Sequence, residues 1–324
     1  MAEHRREIQN GSDDAGAAFC DLPAYGLLRV SGEDAAAFMQ GQTTCDVHAL
    51  AQGAAGIGAL CTPKGRVFAS FRLLRTEQGF YLLLVAELAA AVCKRLKMYV
   101  LRSKVMLEDL TPSFGLLGLI GAGVDAVLAD AGLPVPPEPA TGRELEDGFV
   151  LSVAAGRALV AAAPDALSRF RPWLEKQLPG ASDNLWRLKE IEAGYPDVAA
   201  AISEEFLPQM LNLDILGGIG FKKGCYTGQE IVTRTHYLGQ VKRRMFRLTC
   251  AHEGIELLPG TPIVAALDAD VKNAGQIVTA AAATAVLSEV LAVLGMEYMG
   301  SRNLHVGGID GPKAEWLALP YAIE

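Results

Sequence analysis

The stretch "GIGALCTPKGRVFASFRLLRTEQGFYLLLVA", residues 56–86, holds three apolar, β-prone runs separated by two turn signals, Pro63–Gly65 and Gln78–Gly79. Turns that short join only antiparallel neighbours, so the segment has to be a meander of two or three strands. It is followed by "LAAAVCKRLKMYVLRSKVMLEDL", whose apolar spacing predicts an amphipathic helix and then a short strand. A β-β-β-α-β run within about sixty residues reads as a compact α+β unit.

The pattern extends in both directions. Upstream, "YGLLRVSG" reads as a strand, and "SGEDAAAFMQGQ" as a helix with Ser31 at its N-cap, ending at Gly41. Downstream, "FGLLGLIG" opens a strand and a helix follows near Asp125–Ala131; "GLPVPPEPATG" is a loop and "GFVLSVAAGRALVAAAP" a hairpin turning at Gly156. Two helices are expected over "DALSRFRPWLEKQL" and "NLWRLKEIEAG", the second capped by Asn184 and stopped by Gly194. Beyond Leu257 short apolar runs broken by Gly, Pro and Asn predict an all-β terminal domain. With 324 residues there is material for two or three cores. The first eighteen residues lack the apolar centre of a secretory signal and read as a disordered tail, and no apolar run is long enough to span a bilayer, so the expected location is cytoplasmic.

The charge distribution singles out one segment. Lys222, Lys223, Arg234, Lys242, Arg243, Arg244 and Arg247 lie within 26 residues with Glu230 as their only acid, a local +6 in a chain of −8. Cys225 sits inside this segment, bracketed by Gly224 and Gly228, while the β-branched "EIVTRTHYLG" after it favours a strand. Positive charge draws anions and lowers the pKa of a nearby thiol, and the thiolate is both nucleophile and metal ligand. The same residues also suit a solvated surface around a structural cysteine, a phosphate-binding face, or, at His236, an acid–base group. The six cysteines form no C-x-x-C pair and no disulfide or zinc framework.

The segment "FLPQMLNLDILGGIGFKKGCYTGQEIVTRTHYLGQVKRRM", with K-G-C-Y-x-G-Q-E at its centre, resembles the signature region of the YgfZ-type folate-binding proteins. "VSGEDAAAFMQGQTTCDV", "CTPKGRVFASFRL" and "WRLKEIEAGYPDV" follow the same family in order, so the resemblance runs from Tyr25 to Arg247. It implies an α+β fold like the glycine cleavage T-protein: three domains in a ring around a central folate-binding opening. Mapped onto this chain, it gives a tail (1–18), a discontinuous folate-binding domain (19–52 and 112–245), an inserted ferredoxin-like domain (53–111) and a C-terminal β-barrel (246–324).

The family's folate-binding aromatics fall on Tyr25 and Trp186, the ligand being tetrahydrofolate or another folate derivative, with no permanent metal. Cys225 falls on the essential thiol, supported by Lys223, Gly224, Tyr226, Gly228, Gln229, Glu230 and Arg234. Its implied roles are transient ligation of iron or a cluster intermediate, or a redox or nucleophilic step. The activity implied is folate-dependent support of iron–sulphur cluster assembly or repair, with cluster enzymes (including radical enzymes that modify tRNA) or assembly proteins as partners. Two other readings stay open. Aminomethyl transfer of the T-protein type, a folate-dependent one-carbon transfer, needs an aspartate that "FYLLLVAELAAAV" lacks, Glu87 being the nearest acid. A tRNA-binding module is disfavoured by the overall acidity.

Overall fold

The computed structural model describes residues 16–252, 255–267 and 270–323. A first antiparallel sheet has the order β3-β4-β5-β2-β6, with β2 Tyr25–Ser31, β3 Ala55–Cys61, β4 Val67–Arg75, β5 Gly79–Val85 and β6 Met106–Asp109. The second has the order β1-β7-β10-β9-β8, with β1 Ala18–Asp21, β7 Gly115–Ile120, β8 Thr141–Leu145, β9 Gly148–Ala154 and β10 Arg157–Ala162. The third closes into a barrel, β11-β14-β13-β12-β15-β16, from β11 Arg243–Ala251, β12 Pro262–Leu267, β13 Asp270–Ala282, β14 Leu287–Gly295, β15 Leu304–Val306 and β16 Lys313–Leu317. The α+β class and the C-terminal barrel expected from the sequence are both present. No helix among the described residues is long and apolar enough to cross a membrane.

The first sheet is buried on both faces, which is why its strands are nearly continuous apolar runs. On one face Leu28, Phe71, Leu82 and Leu84 pack with helices α1 (Ala35–Gln42) and α2 (Ala86–Lys97) through Phe38, Met39, Val92 and Leu96. On the other, Leu27, Tyr81 and Leu83 meet Leu116, Phe149, Leu151 and Leu159 of the second sheet. Helices α3 (Val124–Asp130) and α4 (Pro164–Gln177) cover that sheet's outer face through Leu128, Phe170 and Leu174. Helix α5 (Asp183–Glu192) joins these layers to the barrel, where Asn184 hydrogen-bonds Ala282 from both ends of its side-chain amide.

Several boundaries differ from the sequence reading. The segment 53–111 is not a unit by itself, because β5 and β6 do not pair with each other; β2 lies between them and bonds to both. The chain near residue 20 is divided likewise, β1 joining the second sheet and β2 the first. Of the expected tail, residues 1–15 lie outside the described residues, Ala17 is buried and Ala18 begins β1. Ser31 ends β2 and caps no helix; Asp34 precedes α1, and its Oδ2 accepts from the Lys104 N–H. Ser182, not Asn184, occupies the N-cap of α5, and the expected loop at 132–142 leads into β8.

The run after Cys225 is a helix, α6 (Gln229–Leu238), and not a strand. Gly228 sets its start, with φ at +84° and a missing Cβ that would lie 2.4 Å from the Thr62 carbonyl oxygen. One residue, Val232, faces the core, as suits a surface helix and not a sheet strand. Tertiary packing overrides the β preference of Ile231, Val232, Thr233 and Thr235.

Candidate functional site

Trp186 and Glu190 lie one helical turn apart on the same face of α5, where the two sheets and the barrel converge. Glu190 is fully buried and holds two guanidinium groups. Arg72 of β4 donates to its Oε2 at 2.5 Å, and Arg157 of β10 donates to Oε1. The cations also cover aromatic faces, Arg72 standing 3.6 Å above the Tyr195 ring and Arg157 4.8 Å above Trp186. Burial by itself would raise the Glu190 pKa, but Arg157 and Arg72 outweigh it and hold the group below its ordinary value.

A second carboxylate adjoins this triad. Ser70 of β4 donates to the Pro196 carbonyl at 2.7 Å and accepts from the Val198 N–H at 3.0 Å, clamping the backbone on both sides of Asp197. The Tyr25 hydroxyl donates to Asp197 Oδ2 at 2.5 Å. Burial, and next the charge of Glu190, push the Asp197 carboxyl up to about 7.

Two cavities flank this cluster. One, of 190 Å³, is lined by Tyr25, Val85, Arg187 and Asp197 and roofed by Pro259, Val278 and Thr279 from the barrel side. The other, of 430 Å³, lies beside Arg72, Tyr195, Leu151 and Gly217. A third space of 470 Å³ opens on the far side of Arg157, at Lys189 and Glu192. The larger two match the size of small-molecule sites, and the smaller suits a single ring system.

Tyr25 and Trp186 are therefore brought into one core, in different roles from those expected. Trp186 is 0 % exposed, one face under Arg157 and Cε3 only 2.5 Å from where a Cβ on Gly118 would stand. It has no face for a ligand and lines none of these cavities, packing inside the core beside them. Tyr25 lines the smaller cavity, with its hydroxyl committed to Asp197.

Cys225 lies elsewhere. It is the one exposed cysteine, the other five being buried, and it lines none of these three cavities. Its loop is anchored on both sides. Lys223 turns inward, Nζ donating to the carbonyls of Thr43 and Cys45 at 2.6 and 2.7 Å, and burial lowers its pKa to about 8. Tyr226 is buried with its ring 5.0 Å from that ammonium, and Gly228 locks against the Thr62–Gly65 turn. Gly224 is exposed, with nothing within 4 Å of where its Cβ would stand. Gln229, Glu230 and Arg234 begin α6, with Glu230 and Arg234 exposed.

The positive segment is thinner at the surface than in the sequence. Lys223 is inside, Arg244 pairs with Asp214 at 2.7 Å, and Arg247 pairs with Glu289 at 2.6 Å. Lys222, Arg234, Lys242 and Arg243 remain exposed. His236 stacks on Phe221 at 3.7 Å. Among the described residues no group of three or more His, Cys, Asp or Glu side chains is placed to hold a metal ion.

Sequence reasoning missed Arg72, Arg157, Glu190, Tyr195 and Asp197. The available signal was charge inside apolar runs, as in "FASFRLL" and "GRALVAA", and an acid four residues after Trp186.

Comparison with known proteins accords with this architecture. A family model described as the GCVT N-terminal domain matches residues 4–133. The tRNA-modifying protein YgfZ of Colwellia psychrerythraea is 32% identical over 228 residues, 70% of each chain. That of Hamiltonella defensa is 35% identical over 231 residues, 70% of this chain and 68% of the relative. The crystal structure of glycine cleavage system aminomethyltransferase T from Bartonella henselae superposes with a TM-score of 0.77 at 17% identity, covering 97% of this chain and 88% of that one.

Proposed function

As the chain belongs to the YgfZ family, we propose that it is a folate-binding accessory protein for the assembly or repair of iron–sulphur clusters, with Cys225 as its working thiol. The observation that carries the reading is the presentation of that thiol. Of six cysteines one alone reaches solvent, on a loop fixed by the Lys223 ammonium, the buried Tyr226 ring and the left-handed Gly228. A thiol held out on an anchored loop can meet a partner's iron, cluster or disulfide without prior rearrangement, and the open space at Gly224 leaves room for approach.

The chain's residues also fit a folate. Tyr25, Val85 and the barrel residues give an apolar-walled slot, and Asp197 places a carboxylate in it. Arg187, half-exposed at the same cavity, can meet a carboxylate of the folate tail. Trp186 and the Arg72–Glu190–Arg157 triad buttress this wall and do not stack on the ligand. When bound, folate would supply a one-carbon or redox-active pterin; the protein's part is to bind and orient it and to exclude water.

Aminomethyl transfer fits the site less well. Glu87, the acid nearest the T-protein aspartate's place, accepts the Ala200 N–H at 2.7 Å and so caps a turn. Direct tRNA binding is weakened by the inward engagement of three of the seven cations in the basic segment.

The test is complementation by Cys225→Ala in a strain lacking the protein, read by iron–sulphur-dependent tRNA methylthiolation. Loss of methylthiolation with unchanged thermal unfolding is expected. Full rescue by the variant would end the proposal.

A further inference from the structure

We propose that Asp197 is the residue that recognises the pterin ring, its cavity-facing carboxylate oxygen accepting from the 2-amino and adjacent ring N–H donors while Tyr25 fixes the other oxygen. The inference deepens the folate reading and rests on it.

The argument starts from an incompletely used carboxylate. Asp197 has one hydrogen bond, from Tyr25 to Oδ2; Oδ1 has no protein partner among the described residues, and it is not among the sealed, unsatisfied polar atoms. It therefore borders open space, and the space it borders is the 190 Å³ cavity. A carboxylate at the edge of a partly enclosed cavity favours a ligand that donates to it. The charged groups around it are Glu190, Arg72 and Arg187, and each has a partner already: Glu190 and Arg72 hold each other, and Arg187 pairs with Asp183 at 2.9 Å. A ligand whose edge carries N–H donors can supply what the protein does not.

The cavity restricts what that ligand is. Its walls away from Asp197 and Arg187 are mostly apolar or aromatic, among them Ala24, Tyr25, Val85, Pro259 and Val278 with the one hydroxyl of Thr279, and suit a flat ring. At about 30 Å³ per water its 190 Å³ has room for about six waters, the bulk of one bicyclic heterocycle and less than that of a whole folate. A single acceptor at one end of such a slot selects a ring with adjacent N–H donors on one edge, as a 2-amino-4-oxopteridine has. Ser70 holds the backbone on both sides of Asp197, so the acceptor is in place before the ligand arrives. Burial, and next the charge of Glu190, raise its pKa to about 7, and donors from a ligand would favour the ionised form.

The experiment measures binding of tetrahydrofolate, and of its 2-desamino-2-methyl analogue, to the full chain by calorimetry. The proteins are wild type, Asp197→Asn and Tyr25→Phe. At pH 8, where Asp197 is ionised, wild type is expected to bind the analogue about tenfold to a hundredfold more weakly, the worth of a hydrogen bond to a charged acceptor. Asp197→Asn is expected to weaken tetrahydrofolate binding by at least about tenfold and to treat the two ligands alike. Tyr25→Phe should lose less and keep the preference. Should Asp197→Asn fail to fold, wild-type discrimination decides: equal affinity for the two ligands overturns the inference. If wild type binds tetrahydrofolate and Asp197→Asn binds it unchanged, the role of Asp197 falls while the folate reading stands. If wild type binds no tetrahydrofolate, both fall.

Discussion

Replacing Glu190 by Gln tests whether the three-way junction is held by charge or merely filled. The substitution keeps the volume and removes the anion that serves Arg72 and Arg157, whose side chains are 11 % and 8 % exposed against 1 % for Glu190. Two buried guanidinium groups would then lose the carboxylate they share, leaving only the adjoining Asp197 near Arg72. Arg72 Nη1 and Arg157 Nε already lack partners, so the remaining groups cannot take up the loss. Breaking a buried ion pair from one side costs about 3–5 kcal/mol, and at about 2 °C per kcal/mol for a large chain this lowers Tm by roughly 6–10 °C.

The control is Glu108→Gln, which removes the half-exposed pair with Arg29 at 2.6 Å and should cost less than about 1 kcal/mol. Circular dichroism melts at pH 7.5 give both numbers. The native Glu190 pKa is lowered, so its contribution is present above the ordinary glutamate value and is lost as pH falls through the native one. Wild type and Glu190→Gln should therefore converge in acid. Equal costs for Glu190→Gln and Glu108→Gln at pH 7.5 would refute the reasoning.

Other outcomes follow from the same geometry. Gly118→Ala drives a Cβ to 2.5 Å from Trp186 Cε3 and 3.1 Å from Cys20 Sγ, and overpacking a sealed site should cost about 1–3 kcal/mol, measured by urea unfolding. Lys223→Met removes the ammonium donor to the buried carbonyls of Thr43 and Cys45 and should cost about 1–3 kcal/mol, with faster alkylation of Cys225 as its loop loosens. In the native protein iodoacetamide should modify Cys225 well before the five buried cysteines, as read by peptide mass spectrometry. Asp197 binds its proton up to about pH 7 when folded, against about 3.9 unfolded, so it withdraws stability as pH rises across that window. Asp197→Asn, lacking this slope, should gain Tm relative to wild type between pH 5 and pH 8.

The elements most legible in the sequence are those whose signal is local. The hairpins at Pro63–Gly65 and Gln78–Gly79 form where the turn residues place them, and the punctuated apolar runs after Leu257 close into the barrel. Exposure of Cys225 fits its setting between glycines and cations. What the sequence obscured were partnerships over long separations. Arg72 sits at an alternating strand position that ordinarily faces water, and only Glu190, 118 residues away, explains it. Asp197 looked like any polar loop residue until Tyr25, 172 residues away, was found to donate to it.

By itself, then, the sequence determined the antiparallel meander, the terminal barrel and the family, because turn chemistry and apolar period act over a few residues. Tertiary structure decided that residues 229–238 coil into a helix, that β1 and β2 join different sheets, and that Lys223 turns away from the thiol it adjoins in sequence. It also decided which buried charges meet. The reason is physical: a buried ion or an unpaired strand edge is tolerable only beside its partner, and which partner is within reach depends on how all three sheets pack.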